Sequence, residues 1–285
     1  MVRDLAKHPE FCSVNTATLG FQAPLSQVIE AVAHAGFGGI APWRREVEGQ
    51  DVRAIARQIR DAGLRVSGYC RSTYIPATSR EEWQSNVRKN RETIADAALL
   101  GAATFVMVVG SLPTGSRDLN DARTQVKEAT AELLPFAKSV GVKLALEPLH
   151  PAYAADRSCL TLLSEALDWC DEIEGETADP WLGTCLDVYH TWWDPHVMRD
   201  IARAGNAKRI FNYHVCDWLV PTLDVLNDRG MMGDGAIDLI EFRRAVEAAG
   251  YNDFVEVEIF SAANWGQKPI AETLHVARQR FGTAC

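Results

Sequence analysis

Val140-Gly141-Val142-Lys143-Leu144-Ala145-Leu146-Glu147 carries the fold in one line: a helix stopping on glycine, an apolar β-rich run, and an acid at its end. Glycine after a helix supplies the left-handed C-cap. A strand that begins at once is the joint of alternating α/β folds. The phrase recurs at Ala35-Gly36-Phe37, Ala62-Gly63-Leu64, Leu100-Gly101-Ala102 and Ala249-Gly250-Tyr251, with a looser copy at Ala204-Gly205. Counting the runs gives eight strands, near 11–16, 39–43, 65–70, 103–109, 142–147, 182–188, 210–215 and 253–258. Helical patterns lie between them, as over Leu25–Ala35 and Ala122–Ser139, with a last helix near Ile270–Phe281. The strands are continuous apolar runs, as in parallel sheets covered on both faces. No linker or composition shift interrupts the chain. These features predict a single-domain α/β protein over residues 1–285, a (β/α)8 barrel. A doubly wound sheet is disfavoured, because Asn15-Thr16-Ala17-Thr18 stands where a Gly-x-Gly-x-x-Gly turn belongs.

Four of the runs end in a polar group: Glu147, Asp187, His214 and Glu258. A buried strand ending in a carboxylate or imidazole costs stability unless that group is paired or bound to a cation. In a barrel these would be the C-terminal ends of strands five to eight, where active sites sit. All four can then reach one ion, and a site of three carboxylates and one imidazole favours Mn2+, with Mg2+, Co2+ and Zn2+ as further candidates. Taken singly, Glu147 reads as a rim acid paired with an arginine, and His214 as a core histidine. The succession of four favours ligands. Glu256 shares a strand face with Glu258 and, lying deeper, is expected to be ion-paired.

Other rim positions follow. His190, three residues after Asp187, reads either as a group orienting its neighbours or as a partner for a substrate oxygen. Trp43 and Arg44 follow strand two, Arg71 strand three, and Trp192-Trp193 strand six. Aromatic and arginine groups there suit a sugar, although the tryptophans equally fit a barrel cap or an oligomer contact. Asp217 reads as a rim hydrogen-bonding group. Arg229 opens Gly230-Met231-Met232-Gly233-Asp234-Gly235, which lacks the Lys-Ser/Thr of a phosphate loop. The segment from Asp224 to Gly235, long for a βα joint, is expected to form a mobile lid. Neither a Gly-x-Ser-x-Gly elbow nor His-Glu-x-x-His occurs.

Composition narrows the function classes. The formal net charge of −9 argues against a nucleic-acid or anionic-membrane surface. The N-terminus has neither an apolar signal core nor an Arg/Ser-rich transit pattern, and no apolar run approaches the roughly 20 residues that span a bilayer. Seven cysteines are scattered without a Cys-x-x-Cys pair. Cys70, Cys185 and Cys216 sit inside apolar runs, as small core residues do. A cytoplasmic protein is expected, with homo-oligomerisation left open.

Leu146-Glu147-Pro148-Leu149, Leu186-Asp187-Val188-Tyr189-His190, His214-Val215-Cys216-Asp217, and Gly233-Asp234-Gly235-Ala236-Ile237-Asp238 leading to Glu256-Val257-Glu258-Ile259-Phe260 together resemble the xylose-isomerase-like TIM-barrel superfamily, over nearly the whole chain. The resemblance implies a divalent metal, often manganese, held by a Glu, Asp, His, Glu set. It implies that Glu147 and Glu258 also act as acid and base, and that His190 holds substrate. Two departures concern the substrate side. Ketohexose epimerases carry a second glutamate where this chain has His150-Pro151-Ala152-Tyr153, and an arginine where it has Asp217-Trp218. The substrate contacts expected here are His190, Trp43, Arg44, Arg71, His150, Asp217 and Arg229. The implied activity is isomerisation or epimerisation of a small sugar or sugar derivative through a metal-stabilised enediolate. A lyase or dehydratase acting on a keto-sugar, keto-glycoside or inosose starts from the same proton abstraction. A non-catalytic barrel with a structural metal would need a closed coordination sphere.

Overall fold

The computed structural model of the protein describes residues 2–285. Its strands are β1 (Cys12–Asn15), β2 (Gly39–Ala41), β3 (Arg65–Val66), β4 (Tyr69–Cys70), β5 (Thr104–Met107), β6 (Lys143–Leu146), β7 (Leu182–Asp187), β8 (Ile210–Val215), β9 (Asp217–Trp218), β10 (Arg229–Gly230) and β11 (Val255–Val257). Nine of them form one parallel sheet, in the order β3-β2-β1-β11-β8-β7-β6-β5-β4. With helices between successive strands, this is the expected barrel.

The expected third strand, 65–70, is two pieces. β3 pairs with β2 and β4 with β5, and a bridge between Trp43 and Cys70 nearly closes the barrel. The break at Ser67-Gly68 has a local cause. The Ser67 carbonyl accepts hydrogen bonds from Asn212 Nδ2 at 3.0 Å and Thr104 Oγ1 at 3.3 Å. Side chains thus satisfy that buried carbonyl. A Cβ at residue 68 would lie 2.8 Å from the same Asn212 nitrogen, so glycine is what fits.

The helical joints fold as their glycines predict. Helix Arg80–Leu100 is capped by Ser79 and ends at Gly101, with φ 80°. Helix Leu119–Val140 is capped by Asp118 and ends at Gly141, with φ 77°. Both glycines hold the left-handed conformation that other residues resist. Helices Leu25–His34 and Ile270–Thr283 fall within two residues of expectation. All seven cysteines are buried and unpaired with one another. Among the described residues no helix is long and apolar enough to cross a membrane.

Register then fixes the floor of the barrel mouth. Asp187 on β7 and Glu256 on β11 are both Cα partners of His214 on β8. Glu147 and Glu258 each lie one residue beyond a strand and extend its ladder, donating from their backbone N–H to Met107 O and Val215 O, both at 3.1 Å. The short hairpin of β9 and β10 follows at the same end.

Candidate metal centre

Glu147, Asp187, His214 and Glu258 each bring one ligand atom into a group in which all lie within 4.8 Å of one another. All four are buried. His214 Nδ1 lies 3.7 Å from Glu147 Oε1 and 3.6 Å from Glu258 Oε2. Its Nε2 lies 3.2 Å from Glu256 Oε1, the deeper acid expected to be paired. Neither ring nitrogen makes a well-directed hydrogen bond.

Crowding so many acids in a dry site shifts their protonation. Burial, reinforced by Glu258, pushes the Glu147 carboxyl up to about 8. Burial pushes Asp187 up to about 6, with Arg229 pulling it down and Glu258 up. Burial alone would also raise Glu258, but His214 and Arg229 outweigh it and hold that acid below its usual range. Burial works against charge on His214, yet Glu256, Glu258 and Glu147 hold the imidazole up to about 10. Arg229 supplies the nearest fixed positive charge, its Nη1 lying 3.1 Å from Asp187 Oδ2 and 3.5 Å from Glu258 Oε2. The buried acids still outnumber the cations that face them. A divalent cation fits this donor set, since it would satisfy the His214 nitrogen and the oxygens it faces.

The rim residues divide. Trp43, Arg71, His190 and Arg229 line the pocket above the three acids and the imidazole, with Glu147 and Glu258 on its wall. The Trp43 Nε1–H donates to Asn15 Oδ1 at 2.6 Å, and its ring meets Phe260 edge-on. His190 Nδ1 accepts from the His150 backbone N–H at 3.2 Å, while Nε2 lies 3.2 Å from Arg229 Nη2. The pocket is narrow, with a cavity volume of about 20 Å³, room for roughly one water.

Three expected substrate contacts, Arg44, His150 and Asp217, do not line this pocket. Arg44 points outward, donating to Thr73 Oγ1 at 2.6 Å and pairing with Glu48. The His150 ring stacks on Trp218 with centroids 4.9 Å apart, and its Nδ1 accepts from the Ala152 backbone. Asp217 is fully buried and its carboxylate accepts from the backbone N–H groups of Trp218, Gly233 and Ile237. These three bonds fold the segment behind the site. Within the expected lid, residues 229–232 are packed: Met231 and Met232 are fully buried and Arg229–Gly230 is paired in the hairpin. Asp224, Gly233, Asp234 and Gly235 are exposed, and just before the segment Val220 and Leu223 are 76% and 84% exposed. Leu226 from this loop, with Tyr153 and Arg157, lines the pocket. Tyr153 and Arg157 sit in or just after a single 3-10 turn, Pro151–Tyr153, where no periodic pattern could single them out.

The sequence model described as xylose isomerase-like TIM barrel matches residues 29–280. Inosose isomerase of Bacillus licheniformis is 26% identical over 162 residues, 56% of this chain and 54% of the relative. 3-Dehydroshikimate dehydratase of Pseudomonas putida is 23% identical over 254 residues, 86% of this chain and 37% of the relative. The chain thus spans about half or less of the length of these curated relatives. Among solved structures, a Sinorhizobium meliloti 1021 protein superposes with a TM-score of 0.93 and 44% identity, over 97% of this chain and 99% of that one. The IolI protein with a zinc atom superposes with a TM-score of 0.79 at 19% identity, over 94% and 95% of the two chains. L-ribulose 3-epimerase does so with 0.75 at 19%, over 96% and 93%. At that identity the last two speak to the fold alone. A family match across most of the length, on a barrel whose joints the sequence already marked, places the chain in the xylose isomerase-like TIM barrel family.

Proposed function

We propose that the protein is a divalent-metal-dependent isomerase or epimerase of a small sugar or sugar derivative. The observation that carries this reading is the convergence of Glu147, Asp187, His214 and Glu258, from four neighbouring strands, beneath one small pocket. The match to inosose isomerase supports it.

A cation held by those four residues supplies a Lewis acid beside a substrate carbonyl and hydroxyl. Its donor set of three carboxylates and one imidazole favours Mn2+ over Zn2+, whereas the IolI structure carries zinc, so both ions belong in any assay. Glu258 takes the proton from the carbon next to the carbonyl. Glu147 returns a proton to the same or the neighbouring carbon. His190 and Arg229, 3.2 Å apart on the pocket wall, hold a substrate oxygen. Trp43 and Phe260 give the apolar wall against which a sugar face packs. A sugar is far larger than the narrow pocket, so the loop carrying Leu226 lifts to admit it.

A second reading, a dehydratase or lyase, is favoured by the curated match that spans most of this chain, the 3-dehydroshikimate dehydratase. Incubating Mn2+- or Zn2+-loaded protein with ketoses, keto-glycosides and inososes in D2O separates the two. Deuterium incorporation with retention of every oxygen supports isomerase or epimerase. Loss of water or an aglycone supports the lyase, and no exchange with any metal removes both.

A further inference from the structure

A thiol lies one step below the acids. Cys185 precedes Asp187 by two residues on β7, so both face the barrel interior, Cys185 the deeper. Its Sγ is 3.8 Å from Glu147 Oε1, the same oxygen that lies 3.7 Å from His214 Nδ1. Glu147, Cys185 and His214 bring their ligand atoms within 4.8 Å of one another and all are fully or nearly fully buried. His214 is 0% exposed and has no directed hydrogen bond at either nitrogen.

We propose that Glu147, Cys185 and His214 form a second, deeper ion position that takes a thiophilic divalent cation of the zinc class. It shares two ligands with the four-residue position, so the two exclude one another. Tetrahedral zinc, with bonds of about 2.0 Å to oxygen and nitrogen and about 2.3 Å to sulfur, needs ligand separations of about 3.3 Å for O–N and about 3.5 Å for O–S. The observed 3.7 and 3.8 Å exceed these by a few tenths of an ångström, which side-chain rotation supplies. The geometry leaves a fourth position for water or another donor. On binding, the Cys185 proton leaves to solvent, and the thiolate and the Glu147 carboxylate face the dication together. Manganese, which prefers oxygen, has no reason to go deeper. Ion identity thus selects the position, and a zinc-class ion held there withdraws Glu147 from proton transfer.

The test is cobalt titration of the full chain, stripped by chelator and kept reduced. The expected result is a thiolate-to-cobalt charge-transfer absorption in the near ultraviolet that saturates with a single cobalt, is abolished by zinc, and is lost in Cys185→Ser but kept in Cys70→Ser. Zinc affinity of Cys185→Ser should fall by at least the roughly 10–100-fold that losing even a supporting group costs, with manganese affinity unchanged. X-ray absorption of the zinc-loaded wild type needs no variant, and should show one sulfur among nitrogen and oxygen scatterers. Cobalt bound without the absorption band, or zinc surrounded by nitrogen and oxygen alone, overturns the deeper position while leaving the four-residue reading intact. No binding of any divalent ion overturns both.

Discussion

Glu256 Oε1 lies 3.2 Å from His214 Nε2, the ring nitrogen opposite the one that faces Glu147 and Glu258. The acid is itself held firmly. Ser67 Oγ donates to its Oε2 at 2.6 Å, Ser13 Oγ lies 2.6 Å from Ser67 Oγ, and Asn15 Nδ2 donates to Oε1 at 3.0 Å. A fixed negative charge beside Nε2 keeps the proton there and leaves Nδ1 as the donor to an ion. A carboxylate behind a metal-ligating histidine does the same in general.

Glu256→Gln should therefore weaken divalent-metal binding by roughly 10–100-fold while the fold is kept. An amide can present its N–H₂ to Nε2 and so favour the wrong tautomer. Calorimetric titration with Mn2+, beside circular dichroism, checks this. Wild-type affinity in a folded variant would mean that Glu256 is only a barrel-filling acid.

A pH effect follows from the buried glutamate. Glu147 titrates near 4.5 in an unfolded chain and at about 8 in the fold. Between those values the folded state binds more protons than the unfolded one, so stability without metal falls as pH rises through that window. His214, raised to about 10 from 6.5, contributes stability that is complete below 6.5 and is lost as pH climbs through 10, which is the same sign. Metal binding requires these groups deprotonated and so strengthens with pH. The difference in Tm between Mn2+-saturated and metal-free protein should widen from pH 5 to pH 8. Scanning calorimetry of both forms across that range decides it, and a constant or shrinking gap would contradict the assignment.

Asp217 offers a contrasting outcome. Its buried carboxylate accepts from three backbone N–H groups, the distances being 2.9, 2.9 and 3.0 Å. Asp217→Ala leaves those donors unsatisfied and should cost about 3–5 kcal/mol of stability, with metal stoichiometry unchanged. Urea denaturation with metal analysis reads both. If stability holds and only the substrate KM rises, Asp217 is a substrate contact after all.

These cases mark how far the sequence reaches. The strand ends were legible because a parallel barrel converts chain position into depth. A polar residue closing an apolar run must lie at the mouth, and register brings Asp187, His214 and Glu256 level. Arg44, His150 and Asp217 were placed correctly at the same end, but loop side chains obey no period. Asp217 turns toward amides 16 and 20 residues further on, which no local pattern announces. The split third strand was hidden because it depends on Asn212 reaching Ser67 from 145 residues away. Cys185 was read as a core residue, which it is. Its nearness to Glu147 depends on the alignment of β6 with β7, visible only in the fold.

Proton transfer can be separated from ion holding at Glu258. Glu258→Gln keeps the size and one oxygen donor, but an amide accepts no proton at neutral pH. In the metal-free fold His214 and Arg229 hold the Glu258 carboxyl below its usual range against burial. The variant should retain metal and bind substrate, with kcat lower by at least the roughly 10²–10⁴-fold typical of a lost acid or base. His190→Asn should act differently. The ring lies 3.2 Å from Arg229 and is anchored behind by the His150 amide, so its loss frees a substrate oxygen and raises KM more than it lowers kcat. The decisive measurement is solvent-deuterium exchange into bound substrate, taken beside metal content for each variant. Wild-type exchange in metal-loaded Glu258→Gln would make Glu258 a ligand only. The base would then be Glu147, because Asp217 is committed to backbone amides and Glu256 lies behind His214.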